Sequence, residues 1–168
     1  MNIRKADMHD ITNIAELYAI NWKKTYSRIL PNAFLDEISV ESAIKKWIEF
    51  FNQPANTIFV SYETNIFYGF AACKKDNKLE DCIYLDSLHV SESSRGKGIG
   101  TALIKTVGKF AFDNDYQQMS ICIVRGNDYA KHLYEKLGAV HFEYFVDDFN
   151  GTKSNSEKLI WNDTKCFE

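Results

Sequence analysis

Residues 94–101 read Ser-Arg-Gly-Lys-Gly-Ile-Gly-Thr, between an apolar run, Ile83 to Val90, and an amphipathic run that begins near Ile99. A glycine-rich loop in that setting commits this stretch to a strand–loop–helix unit. Glycine lets the backbone adopt positive φ and approach a ligand closely. The free N–H groups at a helix start, with the helix dipole behind them, favour an anion. Arg95 and Lys97 add positive charge, so the loop reads as a polyphosphate cradle. By itself it also fits a plain glycine-rich helix cap.

Spacing excludes two common nucleotide loops. A Walker loop needs glycine at position 91 and Ser or Thr after Lys97, but Ser91 and Gly98 stand there. A dinucleotide Gly-x-Gly-x-x-Gly needs glycine where Thr101 or Leu103 stands, and no acidic residue ends a second strand at the right distance.

The rest of the chain supplies the frame. Asn2–Lys5 is a short strand. Asp7 or Asp10 caps a helix carrying Ile11, Ile14, Ala15, Tyr18 and Trp22 at helical spacing to about Lys24. A break over Tyr26–Pro31 follows, because Pro31 moves Leu30 out of helical space. Helices over Asn32–Glu37 and Val40–Phe51 come next, then strands over Thr57–Tyr62 and Ile66–Lys74. Cys82–Val90 is a strand on which alternation puts Tyr84, Asp86, Leu88 and Val90 on one face and His89 on the other. A helix over Gly98–Asp113 and a strand over Gln117–Arg125 follow. A helix capped by Asn127 or Asp128 ends at Gly138. Strands over Val140–Asp147 and Ser156–Trp161 flank an Asn150-Gly151 turn. Crossover helices imply parallel pairing of the central strands, and the hairpins imply antiparallel pairing around them. The expected class is α+β: a mixed sheet of about seven strands, helices on both faces, in a single domain over 1–168.

Net charge is −3 over 168 residues, which disfavours nucleic acid as the partner and suits a cationic substrate. Cys73, Cys82, Cys122 and Cys166 are dispersed, without metal-ligand spacing. They read as reduced thiols of a cytoplasmic protein, and no metal is expected. No signal-peptide pattern and no apolar stretch of membrane-spanning length is present, so no membrane partner is expected.

Two motifs make the reading specific. Arg95-x-x-Gly98-x-Gly100 is followed by Asn127-x-x-Ala130-x-x-Leu133-Tyr134-x-x-x-Gly138-Ala139, and Leu85-Asp86-Ser87-Leu88-His89-Val90 precedes both. In order and separation they resemble the hallmark segments of the GNAT N-acetyltransferase superfamily, with Ala139 where Phe is usual. The similarity covers about residues 82–139. It implies a GNAT-like acyl-CoA N-acyltransferase fold and acetyl-CoA as acyl donor. The pyrophosphate falls to Arg95, Gly96, Lys97, Gly98, Ile99, Gly100 and Thr101, and the pantetheine arm to the backbone of Leu88, His89 and Val90. Asn127 caps its helix and touches cofactor or acceptor, and dimers being common among members, a homodimer is implied.

The resemblance also distributes the chemistry. Tyr134 matches the general-acid tyrosine that protonates the leaving thiolate. Many members carry a glutamate base where this chain has Tyr84, so the base shifts to Asp86, two residues on. Trp22, Tyr26, Tyr84 and Asp147 are expected to wall the acceptor, with carboxylates and aromatics suited to a cation. The expected function is acetyl transfer to a primary amine of a small molecule by direct attack. Alternatives are a protein or peptide N-acetyltransferase, and a non-catalytic acyl-CoA sensor that has lost its base.

Overall fold

The computed structural model describes residues 1–149 and 151–168. Seven strands form one sheet in the order β1-β2-β3-β4-β5-β7-β6. They are β1 (Asn2–Lys5), β2 (Thr57–Glu63), β3 (Ile66–Lys75), β4 (Cys82–Val90), β5 (Gln118–Val124), β6 (Val140–Phe149) and β7 (Thr152–Trp161). Only β4 and β5 pair in parallel. The helices are α1 (Ile11–Tyr26), α2 (Asn32–Asp36), α3 (Val40–Phe51), α4 (Ile99–Asp113) and α5 (Asp128–Lys136). The mixed α+β sheet with helices on both faces is the architecture that the sequence predicts. Among the described residues no helix is long and apolar enough to cross a membrane.

Each face of the sheet buries its own apolar stripe. Ile14 and Ala15 of α1 and Trp47 of α3 close over Val60 and Phe70. Leu103, Ile104 and Val107 of α4 close over Met119, Leu159 and Trp161. Trp47 is fully buried, so its truncation to alanine costs about 3–5 kcal/mol.

Two boundaries differ clearly from expectation. α1 continues two residues past Lys24, because i, i+4 contact stacks Tyr26 on Trp22 at 4.5 Å. β7 starts at Thr152, because its register with β6 extends to Phe149↔Thr152. Of the expected turn, Asn150 lies outside the described residues.

The feature that positions the site is a bulge in β4. Cys73 of β3 pairs with Leu85 and Ala72 with Ser87, leaving Asp86 without a partner. The extra residue reverses the alternation beyond it. Ile83, Leu85, Leu88 and Val90 therefore pack toward α4, while His89 turns to the α1 face, against Tyr18 and Phe70. The expectation that Tyr84 and Asp86 share a face with Leu88 and Val90 is thus corrected, while His89 does lie opposite Leu88 and Val90. Close approach at this point requires glycine in β3: a Cβ on Gly69 would lie 2.4 Å from the His89 carbonyl oxygen.

Candidate active site

Strands β4 and β5 pair only from Cys82↔Gln118 to Leu85↔Ile121. Beyond that β4 follows β3 and β5 follows β7, so the two part into a wedge. The Ser91 N–H bonds the Tyr68 carbonyl on β3. Alternation then turns the N–H and C=O groups of Leu88 and Val90 toward the gap. Asn21 of α1 steadies that edge, donating to the Val90 carbonyl at 3.1 Å. A narrow chain carrying amides fits such an edge as an added strand would.

The wedge opens into a cleft of about 1090 Å³. At one end lies the loop before α4. Gly96 and Gly98 have φ of +77° and +79°, and no atom lies within 4 Å of the Cβ either would carry. Their need for glycine is conformational, and the space beside them is open to a ligand. Gly98 is the N-cap of α4, so the first-turn N–H groups face the same space. Arg95, Gly100 and Thr101 line the cleft as well.

Where the strands part, Tyr134 of α5 lines the cleft. Its ring packs edge-on against Trp161 at 6.1 Å, and the Trp161 N–H is anchored on the Leu137 carbonyl. Burial, with Tyr26 nearby, holds the phenol well above its usual range, so it stays protonated. Asn127 accepts the Ala130 N–H and donates to the Tyr26 hydroxyl at 3.4 Å. Burial likewise raises Tyr26 and Tyr84. Asp86 lies 3.3 Å from the Lys74 ammonium and accepts the Ser87 hydroxyl at 2.9 Å.

The far end is aromatic and acidic. Trp22, Phe34 and Phe149 meet at 5.6–6.3 Å, joining α1, α2 and β6. Glu37, Asp147 and Asp148 line the same cleft.

A model of the Acetyltransferase (GNAT) family matches residues 14–139. The chain belongs to that family. As a GNAT member it is an acetyl-CoA-dependent N-acetyltransferase. The uncharacterized N-acetyltransferase YuaI of Bacillus subtilis is 22% identical over 175 aligned positions, covering 100% of this chain and 96% of the relative. A ribosomal-protein-alanine N-acetyltransferase of Brucella melitensis has the same fold, with TM-score 0.77, 19% identity and coverage of 96% and 99% of the two chains. So has the spermidine N-acetyltransferase of Vibrio cholerae, solved in complex with CoA and spermine, with TM-score 0.75, 18% identity and coverage of 99% and 98%.

Set against the GNAT motifs, most of the residues singled out in the sequence converge on this cleft. Tyr134, Asp86, Leu88, His89, Val90, Arg95, Gly96, Gly98, Ile99, Gly100, Thr101, Asn127, Trp22, Tyr26, Tyr84 and Asp147 all line it. Lys97 is the exception, with its ammonium over the Tyr68 ring at 5.8 Å, outside the lining. Ile99 is 3% exposed and its side chain belongs to the core, which leaves its backbone for the loop. The His89 imidazole, sandwiched between Phe70 and Tyr18, is pushed down to about 3 by burial, with Asp86 opposing and Lys46 and Arg95 adding to the fall. It is neutral at physiological pH.

Several lining residues escaped sequence reasoning, Tyr18, Ser87 and Glu37 among them. Tyr18 sat on the apolar stripe of α1 and was indistinguishable from core. Ser87 is brought into the cleft by the bulge, which periodicity does not reveal. Glu37 follows a short helix whose docking no local pattern encodes.

Proposed function

We propose that this enzyme acetylates a primary amine of a small cationic molecule by direct attack on the thioester of acetyl-CoA. The observation that carries the reading is the acceptor end of the cleft. There Glu37, Asp147 and Asp148 line the same cleft as the Trp22, Phe34 and Phe149 cluster. Carboxylates and aromatic faces attract alkylammonium groups. The fold shared with an enzyme solved with spermine supports an amine of this kind.

The residues divide the work as follows. The backbone from Gly96 to Thr101, with Arg95, holds the pyrophosphate. The edge of Leu88 and Val90 holds the pantetheine amides, and the Leu88 N–H donates to the thioester oxygen as charge builds there. An alkylamine has a pKa of about 10.4, so only about one molecule in a few thousand is neutral at pH 7. Asp86 accepts the proton that the attacking amine must lose. A C–N bond forms, the C–S bond breaks, and the Tyr134 phenol gives its proton to the departing sulfur. Tyr84 stays protonated and shapes the acceptor wall. The unpaired cysteines support a cytoplasmic, reducing setting.

Thiol release from acetyl-CoA over a panel of monoamines, diamines, polyamines and peptides tests the reading. Turnover is expected with diamines and polyamines, and Phe149→Ala should raise their KM with little change in kcat. Turnover of peptides alone would replace this reading with protein acetylation.

A further inference from the structure

The cleft carries charges of both signs. Glu37, Asp86, Asp147 and Asp148 line it, and so do Arg95, Lys136 and Lys46. Arg95 precedes the glycines of the loop before α4, and Lys136 ends α5. Lys46 stands on α3. Among the lining residues it is the one cation contributed by α1, α2 or α3, the elements that also bring Trp22, Phe34 and Glu37. Neither the cofactor loop nor the acetyl transfer uses it.

Its side chain is turned along the cleft and held there. Ser42, Ala43 and Lys46 all line the cleft, and that spacing places them on one face of the helix. The Lys46 ammonium lies 5.5 Å over the ring of Tyr18 and 4.9 Å over that of Trp47, within the range of a cation–π contact. Tyr18 is itself a lining residue and packs edge-on against His89 of β4 at 5.4 Å. Lys46 makes no ion pair among the described residues, although four carboxylates line the same cleft. A cation fixed by two rings and left without a counter-ion is a ready partner for an anionic group of a ligand.

A simple polyamine gives this lysine nothing to bind. Its ammonium groups are drawn to Glu37, Asp147 and Asp148 and repelled by Lys46. A ligand that uses both signs carries an anionic group beside its amines. A single negative charge fits best, because a phosphate dianion would meet about twice the repulsion from the lining acids. We propose that the acceptor is a diamino carboxylic acid, whose carboxylate is received by Lys46 and whose second ammonium is received by the acids of the acceptor wall. The inference rests on the acetylation of a small cationic amine proposed for this cleft, and it narrows the class. Two ammonium groups and one carboxylate leave such a molecule cationic, as the acidic cleft requires. Lys46 selects the acceptor, and no step of acetyl transfer passes through it.

The test compares free L-lysine with cadaverine, the same chain without the carboxylate, and L-ornithine with putrescine. The wild-type enzyme should use the better diamino acid with a kcat/KM at least about tenfold above that of its matched diamine. Lys46→Gln should cut that ratio at least about threefold through KM, Lys46→Glu should invert it, and Lys46→Arg should keep it. Lys46 is exposed, so these variants should fold normally. In calorimetry the same diamino acid should bind CoA-loaded Lys46→Gln more weakly than CoA-loaded wild type, with equal affinity of the two proteins for CoA. Equal or better use of diamines or polyamines by the wild type would overturn the proposal and leave the small-amine reading standing. So would an unchanged ratio in Lys46→Gln. Turnover of peptides alone would end both.

Discussion

The Lys74 ammonium and the Asp86 carboxylate sit 3.3 Å apart across β3 and β4, with Asp86 on the bulged residue. Asp86 is thereby held in place at the cleft. Asp86→Asn keeps its shape and its contact with Ser87 but removes the proposed proton acceptor. Steady-state kinetics should show kcat falling by about 10²–10⁴-fold, the range for loss of a general base. The affinity for CoA should be unchanged by calorimetry. An unaltered pH–rate profile would clear Asp86 of this role.

Tyr134→Phe removes only a hydroxyl from a ring already locked against Trp161. Thermal stability should stay within about 0.5 kcal/mol, and CoA binding should persist while kcat drops. Because burial raises the phenol above its usual range, the wild-type rate should show no alkaline loss from Tyr134 up to about pH 10. Equal losses in binding and turnover would mean that the residue is architectural.

Gly98→Val places a β-branched side chain at φ +79°. Strain of about 1–3 kcal/mol is expected there, enough to rearrange the loop without unfolding the sheet. CoA binding should disappear in calorimetry while circular dichroism is retained. Normal binding would remove the loop from the site.

Away from the cleft, Lys158 and Asp76 are paired at 2.7 Å with exposures of 5% and 4%. Burial alone would raise the Asp76 pKa. Lys158, Ser120 and the N–H groups of Lys78 and Leu79 overcome this and hold it below the usual carboxylate range. Asp10 and Glu157 follow the same pattern. A depressed folded-state pKa gives stability that is present above the unfolded value and lost as pH falls through the folded one. Denaturant midpoints should therefore be flat from neutrality to about pH 5 and fall steeply below about pH 4. Lys158→Ala should cost about 3–5 kcal/mol by leaving a buried charge unpaired.

The loop end of the cleft was legible in the sequence because it is built on backbone requirements. Glycines at 96 and 98, a helix cap at Asn127 and a tyrosine at 134 are tied to fixed spacings, and spacing is what a chain displays. The face of β4 was misjudged because one unpaired residue, Asp86, reverses every side chain after it, and a bulge leaves no period. Tyr18 was hidden by the rule that makes helices legible: an apolar stripe reads as core even where it borders a cleft. The acceptor end depends on how α2 and β6 dock against α1, contacts far apart in the chain that local pattern does not carry.

Gly69 lies on a strand that lines no part of the cleft, yet any side chain there would strike the His89 carbonyl. Pushing β4 away at that point would drive its edge toward β5 and narrow the gap between them. A library screened for activity alone would then mark position 69 as intolerant, and a search for ligand contacts would find no reason. The width of the slot is set from the neighbouring strand, by the absence of a single methyl group.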